Sequence, residues 1–425
     1  MTNASPSRRR ALAAIAALAG VPLVGTSCGT PPAPQEQDRD RPDPPAADKT
    51  PEQGPTSSAP TAPTTPPVTV TSNVDEAATG VTVDTILQLK VKGGTLTSVK
   101  PSAKVKDRKS GKTRSVTVPG TLAGDGRSWR ATDGLDPGVK YTVTISATDT
   151  DNNPVTLTRS FKTHTLTLDE QTFPAVYPLD GMSIGVAMPA IIRFDIPVTD
   201  KANVEKHLHI DVSPKQPGSW YWASDTEVHY RPKSYWKPGT KVTVDARLNG
   251  VKAGKKLYGQ ESRTFSFTIT RKVVAKVDLA KHVMRVYIDS KLARTIKISA
   301  GKNGFTTRSG VKVISEKLRT TRMTSETDNI NDPDYYDLDK VEWAMRLTQS
   351  GEFFHAAPWN APYFGSANVS HGCTGMSNAD AKWLFNTMRV GDPAIFTGTK
   401  RGMEAGNGYT DWNLSWSQIR KRSAL

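Results

Sequence analysis

Hydrophobic and polar residues alternate along most of the chain after residue 68, which is the pattern of β-strands that bury one face. In residues 141–145, Tyr141, Val143 and Ile145 alternate with threonines, and Val242 and Val244 alternate in the same way further along. Successive side chains of a strand point to opposite faces. We therefore predict a mainly β protein in which these five residues face inward, in two separate cores.

Two parts of this β region repeat each other. Pro137 and Gly138 precede one strand, and Pro238 and Gly239 precede a similar one about 100 residues later, which is the size of one immunoglobulin-like domain. Short alternating strands and Pro-Gly turns are typical of such sandwiches. We predict two tandem immunoglobulin-like β-sandwiches, at residues 68–165 and 166–270.

The second repeat also carries several large aromatic residues at strand positions. Their alternation favours a place in the core, and a sugar-stacking surface is the alternative. These residues are Trp220, Trp222, Tyr230, Tyr235 and Trp236.

A third region, residues 271–398, has strands separated by longer loops, and we predict a β-rich domain there. Its polar tract at 321–339 is long enough to form a lid. A short helix is predicted to begin at Ser377, because Asp380 stands three residues later in a capping pattern, and to stop at Gly391. Its apolar face would comprise Ala381, Leu384, Phe385 and Met388. Residues 399–425, which contain Trp412 and Trp416, are predicted to pack back on this domain as a C-terminal extension.

The N-terminus has the composition of a secretory signal. Three arginines at 8–10 precede an apolar segment at 11–24, which is too short to span a bilayer comfortably, and small residues then lead to Cys28. A cysteine directly after small residues resembles a bacterial lipobox, whose cysteine is lipidated. We predict a lipoprotein signal at 1–27, with cleavage by an ordinary signal peptidase as the alternative.

Residues 28–67 are rich in proline and threonine and have almost no large apolar side chain. Such a segment cannot bury a core, so we predict a disordered tether. Together these features predict a chain anchored by a lipid on Cys28 to the outer face of the plasma membrane and reaching into the cell wall.

The net charge of +15 is compatible with nucleic acid, an anionic membrane surface or an anionic wall polymer as a partner. The sequence has no zinc-finger pattern, RNP-type aromatic motif or long basic helix, so we predict no nucleic-acid partner.

The chain has two cysteines, and if Cys28 is lipidated then Cys373 is a solitary thiol in an exported protein. Such an odd cysteine suggests a reactive thiol. An imidazole can take the proton of a thiol, and His355 and His371 are both close in sequence. Gly372 lets the backbone bend and aim N–H groups at a developing oxyanion. The plainer interpretation is a buried free cysteine with incidental histidines.

The residues Phe-His-Ala-Ala-Pro-Trp at 354–359 and Ser-His-Gly-Cys at 370–373, with the helix that follows, resemble the catalytic core of the L,D-transpeptidases. These are YkuD-type cysteine enzymes that cross-link peptidoglycan. A lipoprotein signal, two immunoglobulin-like domains, a catalytic domain and a tryptophan-bearing tail together resemble the actinobacterial members. The resemblance covers roughly residues 68–420.

The resemblance implies that Cys373 is the nucleophile and His355 its general base. The backbone carbonyl of Ala356 would hold the imidazole tautomer, and the N–H groups of Gly372 and Cys373 would form the oxyanion hole. Loop support or substrate contact would fall to Ser370, His371, Trp359 and Tyr336. Three positions depart from the family pattern. Many relatives have serine where this chain has Ala356, which matters little if the carbonyl does the work. Asp337 stands where the mycobacterial enzymes have a lid tyrosine, and Gly375 stands where they have an asparagine.

The activity so implied needs no cofactor and no metal. Cys373 would attack the carbonyl at the L-centre of diaminopimelate in a peptidoglycan stem tetrapeptide and expel D-alanine. An amine of a second stem would then attack the thioester and form a cross-link. Carbapenem-type β-lactams would inhibit by acylating the same thiol.

Three alternatives stay open. With the same fold, water as acceptor would give an L,D-carboxypeptidase, and a protein amine would give protein attachment to the wall. His355, His371 and Cys373 could be zinc ligands, although no carboxylate base stands at a familiar spacing. The chain could also be a non-catalytic wall-binding lipoprotein.

Overall fold

The computed structural model describes residues 66–106, 111–325, 327 and 329–425. The predicted signal, Cys28 and nearly all of the predicted tether lie outside the described residues. No helix in the described part of the chain is long and apolar enough to cross a membrane.

The first sandwich consists of two four-stranded sheets, in the orders β1-β2-β6-β5 and β4-β3-β7-β8. Tyr141, Val143 and Ile145 on β7 are buried between them, as the alternation predicts, and Tyr141 stacks on Phe161 at 5.4 Å between ring centres. The strands are β1 Thr69–Ser72, β2 Gln88–Lys92, β3 Gly94–Lys106, β4 Thr113–Thr117, β5 Gly120–Leu122, β6 Ser128–Ala131, β7 Lys140–Asp149 and β8 Pro154–Lys162.

The second sandwich pairs the sheets β10-β12-β15-β14 and β11-β19-β16-β13, with a small sheet β17-β18-β9 beside them. Its elements are β9 Gln171–Thr172, β10 Pro174–Tyr177, β11 Met182–Ile184, β12 Ala190–Phe194, α1 Lys201–Lys206, β13 Leu208–Ser213, β14 Gly218–Trp222, β15 Glu227–Pro232, β16 Lys241–Ala246, β17 Lys252–Gly254, β18 Leu257–Gly259 and β19 Arg263–Ile269. A 3-10 turn at Leu168–Glu170 precedes β9.

The aromatic residues of this second sandwich belong to its core. Four are buried, and Tyr235 is half-buried against the same cluster. The interpretation as core is therefore confirmed. Val242 and Val244 are fully buried beside them on β16.

The third region has a five-stranded sheet, β22-β21-β20-β28-β23, and a four-stranded sheet, β24-β25-β26-β27. Its elements are β20 Val273–Asp278, β21 Val283–Ile288, β22 Lys291–Lys297, β23 Gly310–Val313, β24 Glu316–Thr324, β25 Asp337–Arg346, β26 Phe353–Ala356, β27 Thr374–Met376, α2 Asn378–Thr387, β28 Pro393–Thr397 and α3 Trp416–Lys421. 3-10 turns occur at Pro358–Tyr363 and Asp411–Asn413.

One local prediction in this region needs correction, and another gains detail. The polar tract at 321–339, predicted to be long enough for a lid, includes the paired ends of β24 and β25. Helix α2 begins after Ser377, whose Oγ accepts the Asp380 amide at 3.1 Å, as predicted. It ends at Thr387 rather than near Gly391, because Met388 has extended backbone angles.

The C-terminal tail contacts the second sandwich as well as the third region, on which it was predicted to pack. The indole Nε1 of Trp412 donates to the carbonyl of Ala187 in the second sandwich at 2.7 Å. The guanidinium of Arg231 lies over the rings of Trp412 and Trp416, at 4.4 Å and 5.8 Å from their centres. Asn413 meanwhile hydrogen-bonds Val311 on β23. The tail joins the two domains because an arginine of the second sandwich offers a cation to its indoles.

Candidate active site

A parallel strand pair brings the proposed nucleophile and base together. β26 runs parallel to β27, with His355 opposite Gly375 and Phe354 opposite Thr374. Cys373 comes directly before β27. Side chains from the end of one strand and the start of the other can therefore meet at one edge of the sheet.

Both side chains line a cavity of about 260 Å³. The lining contains no lysine, arginine, aspartate or glutamate, so an uncharged or peptide-like group fits it best. The lining residues are Met323, Tyr336, Leu338, His355, Trp359, Asn360, Val369, Ser370, His371 and Cys373. All the side chains to which the resemblance assigns substrate or loop contacts thus reach this cavity.

The thiol of Cys373 is partly exposed and protonated at rest. Its Sγ donates to the carbonyl of Gly351 at 3.3 Å. Burial raises the pKa of Cys373 to about 11, and Glu352 acts in the same direction. A backbone hydrogen bond from Phe353 and the charge of Lys312 lower this pKa but do not cancel the effect of burial. At neutral pH the thiol therefore needs a base.

His355 is buried and held as a neutral base. Its Nδ1 donates to the carbonyl of Ala356 at 2.8 Å, which is the contact that the resemblance implies. This bond fixes the proton on Nδ1 and leaves the lone pair on Nε2. Burial lowers the pKa of His355 below its ordinary value, so the imidazole is uncharged at pH 7. The ring also stacks on Trp359, with 6.0 Å between centres.

At rest the two groups are not hydrogen-bonded to each other. Within the described residues Nε2 of His355 has no hydrogen-bond partner, and the thiol proton points to Gly351. A rotation about the Cβ–Sγ bond would redirect that proton.

The turn before Cys373 depends on glycine and on Ser370. Gly372 has φ of 124°, a conformation that side-chain-bearing residues rarely adopt. Ser370 Oγ donates to the carbonyl of Cys373 at 2.6 Å and accepts the amide of Gly372 at 3.2 Å. Of the two predicted oxyanion donors, the Gly372 amide is thus occupied. The Cys373 amide, which donates no hydrogen bond within the described residues, is the one available.

His371 and Tyr336 form one wall of the cavity. The His371 ring lies 4.9 Å from that of Tyr336 and 4.6 Å from that of Phe305, and its Nε2 is 3.3 Å from Asp334 Oδ1. Asp337, by contrast, is paired with Arg322, with an Nε–Oδ1 distance of 2.8 Å. An aromatic ring therefore faces the site from Tyr336, one position before the expected one.

Sequence reasoning missed a group of buried charges next to the nucleophile. Arg308, Lys312 and Glu352 are at most 7% exposed. Lys312 alternates with valines on β23, a pattern that places a lysine on the solvated face. No signal in the sequence marks it as buried, because the burial comes from packing on both sides of the strand.

The described residues contain no cluster of three histidine, cysteine, aspartate or glutamate side chains that could hold a metal ion. His355, His371 and Cys373 line one cavity without converging on one point.

Comparison with known proteins gives two domain matches. Residues 78–252, which span both sandwiches, match a bacterial Ig domain family, and residues 272–396 match the L,D-transpeptidase catalytic domain family.

Similar whole proteins come from Mycobacterium tuberculosis. L,D-transpeptidase 2 of strain CDC 1551 / Oshkosh is 32% identical over 358 residues, which cover 84% of this chain and 85% of that protein. L,D-transpeptidase 5 of strain H37Rv is 32% identical over 317 residues, 72% of this chain and 68% of that protein. The solved structure of the LD transpeptidase LdtMt1 in complex with imipenem is 32% identical, covers 53% of this chain and 99% of that one, and superposes with a TM-score of 0.46.

Proposed function

Because this chain belongs to the L,D-transpeptidase family of acyltransferases, we propose that it cross-links peptidoglycan stem peptides through a thioester on Cys373. The observation that carries the proposal is the neutral His355, with its proton fixed on Nδ1 by Ala356 and its Nε2 free to accept the thiol proton beside a 260 Å³ cavity.

In the first half-reaction, Nε2 of His355 takes the proton of Cys373 and Sγ attacks the carbonyl carbon at the L-centre of the donor diaminopimelate. The oxyanion so formed accepts a hydrogen bond from the N–H group of Cys373. The imidazolium then gives its proton to the departing amine, the C–N bond breaks, and D-alanine leaves. The enzyme is left as a thioester with His355 neutral again.

In the second half-reaction, the side-chain amine of an acceptor stem attacks the thioester and His355 takes the amine proton. The C–S bond breaks, the thiolate recovers the proton, and an amide cross-link remains. One amide is exchanged for another, so no external energy source or cofactor is required. Thioesters suit this step because thiolate is a good leaving group.

The group that accepts the acyl chain distinguishes transpeptidation from the alternative reactions of the same thioester. Purified protein would be incubated with disaccharide-tetrapeptide and the products analysed by mass spectrometry. A cross-linked dimer with loss of one D-alanine supports transpeptidation. A tripeptide alone would show water as the acceptor, an L,D-carboxypeptidase activity. Unchanged substrate, with an unreactive Cys373, would favour a non-catalytic wall-binding role.

The same nucleophile should be trapped by carbapenem-type β-lactams, because a strained lactam carbonyl acylates a thiolate. We expect a one-to-one adduct on the peptide that contains Cys373, absent in Cys373→Ala.

We further propose that a lipid on Cys28 anchors the chain to the outer face of the membrane. The basic and apolar leader before Cys28 supports this placement.

A further inference from the structure

Three charged side chains are buried next to the nucleophile and take no part in the mechanism above. Glu352 is 4% exposed, Arg308 7% and Lys312 0%. Burying charges is costly unless they are paired and hydrogen-bonded. A buried cluster of this kind beside a catalytic cysteine therefore calls for an explanation.

Glu352 is fixed through its side chain and its backbone. Its Oε1 accepts the Arg308 amide at 3.1 Å and Arg308 Nη1 at 2.9 Å, and its Oε2 is paired with Lys312. Its own amide donates to Thr348 Oγ1 at 2.9 Å. Arg308 continues outward to Glu404 Oε2 at 3.0 Å.

The residues on either side of Glu352 both act on the thiol. The Gly351 carbonyl accepts a hydrogen bond from Sγ at 3.3 Å, and a backbone hydrogen bond from Phe353 lowers the pKa of Cys373, which favours the thiolate. The Cγ of Glu352 lies 3.8 Å from where a Cβ on Gly372 would stand, so the side chain passes directly under the nucleophile turn. A shift of Glu352 would therefore displace both the Gly351 carbonyl and the Phe353 amide.

The charge of Glu352 does not assist the nucleophile. A carboxylate near Cys373 opposes formation of the thiolate, and Lys312 acts in the opposite direction. As an ion pair the two charges largely offset each other at the sulfur. The remaining role is geometric.

We propose that Glu352 is a positioning residue, clamped by Arg308 and Lys312, that holds the Gly351 carbonyl and the Phe353 amide against Sγ of Cys373. The inference rests on the proposed function in that Cys373 is taken as the nucleophile. It adds residues that act through the backbone rather than on the substrate.

The test is the pH dependence of alkylation of Cys373 by iodoacetamide, followed by intact mass. The full chain would carry Cys28→Ala, so that Cys373 is its one thiol. Glu352→Gln keeps the shape and loses the charge, whereas Glu352→Asp keeps the charge and loses the reach. The midpoint of the pH profile is the pH at which alkylation reaches half of its maximal rate. If Glu352 positions the Phe353 amide, both variants raise this midpoint by about one pH unit, so that alkylation at any pH below the midpoint is about tenfold slower.

The competing explanations predict different results. If Glu352 acts by charge alone, Glu352→Gln lowers the midpoint or leaves it unchanged, and Glu352→Asp leaves it unchanged. If the cluster serves stability alone, melting temperature falls and neither midpoint moves. Either result would overturn the proposal. The other charged or titratable groups around the thiol, whose state must be the same in all variants, are His355, His371, Arg308, Lys312, Arg346, Asp334 and Lys302.

Two further variants keep the test decisive. Lys317→Met is the matched control: Lys317 lies on β24 and donates to the carbonyls of Phe385 and Met388 at the end of α2, so the midpoint should stay at the parent value. If Glu352→Gln does not fold, adding Lys312→Met removes both charges and should recover melting temperature but not the midpoint. Recovery of both would show a merely structural pair. Iodoacetamide needs no transpeptidase activity, so this result is independent of whether the parent forms cross-links.

Discussion

Removal of His355 gives the sharpest test of the mechanism, because the structure predicts a loss of rate that depends on pH. With a pKa of about 11 for Cys373, only about one thiol in 10⁴ is ionised at pH 7. In the parent, His355 is neutral because its pKa is lowered, and it can take the proton at the moment of attack. The parent rate should therefore be nearly flat above neutrality and fall only on the acid side, below the ordinary histidine value.

His355→Ala must rely on thiolate that is already formed. Its acylation should be slower by up to about 10⁴-fold at pH 7 and by about 10²-fold at pH 9, since the thiolate fraction rises tenfold per unit. The two profiles should converge toward the pKa of the thiol. A pH-independent loss would mean that the imidazole acts by packing and not as a base.

The assay measures the rate of carbapenem adduct formation by intact-protein mass spectrometry, and Cys373→Ala serves as the negative control. His371→Ala is the matched control, because it removes an imidazole from the same cavity, but one turned toward Asp334. It should keep the flat profile with a milder loss. Reaction of His355→Ala at the parent rate across about pH 6–9, where the thiol of Cys373 stays protonated, would refute the mechanism.

Three more predictions follow from particular contacts. Gly372→Ala should be destabilised by about 1–3 kcal/mol and acylated slowly, because φ of 124° strains any side chain; a parent-like melting curve and rate would refute this. Asp411→Asn should lose about 3–5 kcal/mol of unfolding free energy, since it breaks a buried pair with His229. Although burial alone would lower it, Asp411 and Glu227 raise the pKa of His229 to about 9, so the parent's melting temperature, unlike the variant's, should fall as pH rises from about 6.5 through 9. Cys28→Ala should release the protein from the membrane fraction without changing acylation, and native protein found soluble with another N-terminus would contradict the anchor.

Most of the fold follows from local pattern. The alternation around Tyr141 and Val242 placed both cores correctly, because a period of two leaves little choice once one face is buried. The cap at Ser377 placed the start of α2. The end of α2 was misjudged, because the backbone leaves the helix at Met388, three residues before the glycine expected to stop it.

Tertiary partners decide the features that local pattern does not show. The indoles of Trp412 and Trp416 could be read as apolar cover, but the choice of Arg231 as their partner depends on how two domains meet. Nothing in the sequence near the tail names that arginine. In the same way the alternation of Lys312 with valines indicates a solvated lysine, and only packing of β23 on both faces overrides it.

In the site, the structure agrees with the sequence motif where the predicted contact is made by a backbone group. The carbonyl of Ala356 binds His355 although the residue lacks a hydroxyl, because the bond involves only the main chain. Tyr336 reaches the cavity although Asp337 occupies the expected place, because a hairpin end can present either neighbour. Of the two amides predicted to form an oxyanion hole, that of Gly372 donates to Ser370 Oγ, a contact between residues too close in sequence for spacing to reveal.

The resting thiol has a further consequence for an enzyme that, as we propose, works outside the membrane. Thiolates are the forms that oxidants and disulfides attack, whereas a protonated thiol reacts slowly. With its S–H donated to the Gly351 carbonyl and its pKa raised to about 11, the resting Cys373 is held in the protonated form. In the proposed mechanism His355, already neutral and oriented by Ala356, would remove this proton at the moment of attack. A raised thiol pKa, which would weaken a free nucleophile, is compatible with such a mechanism because the proton would be removed in the same step.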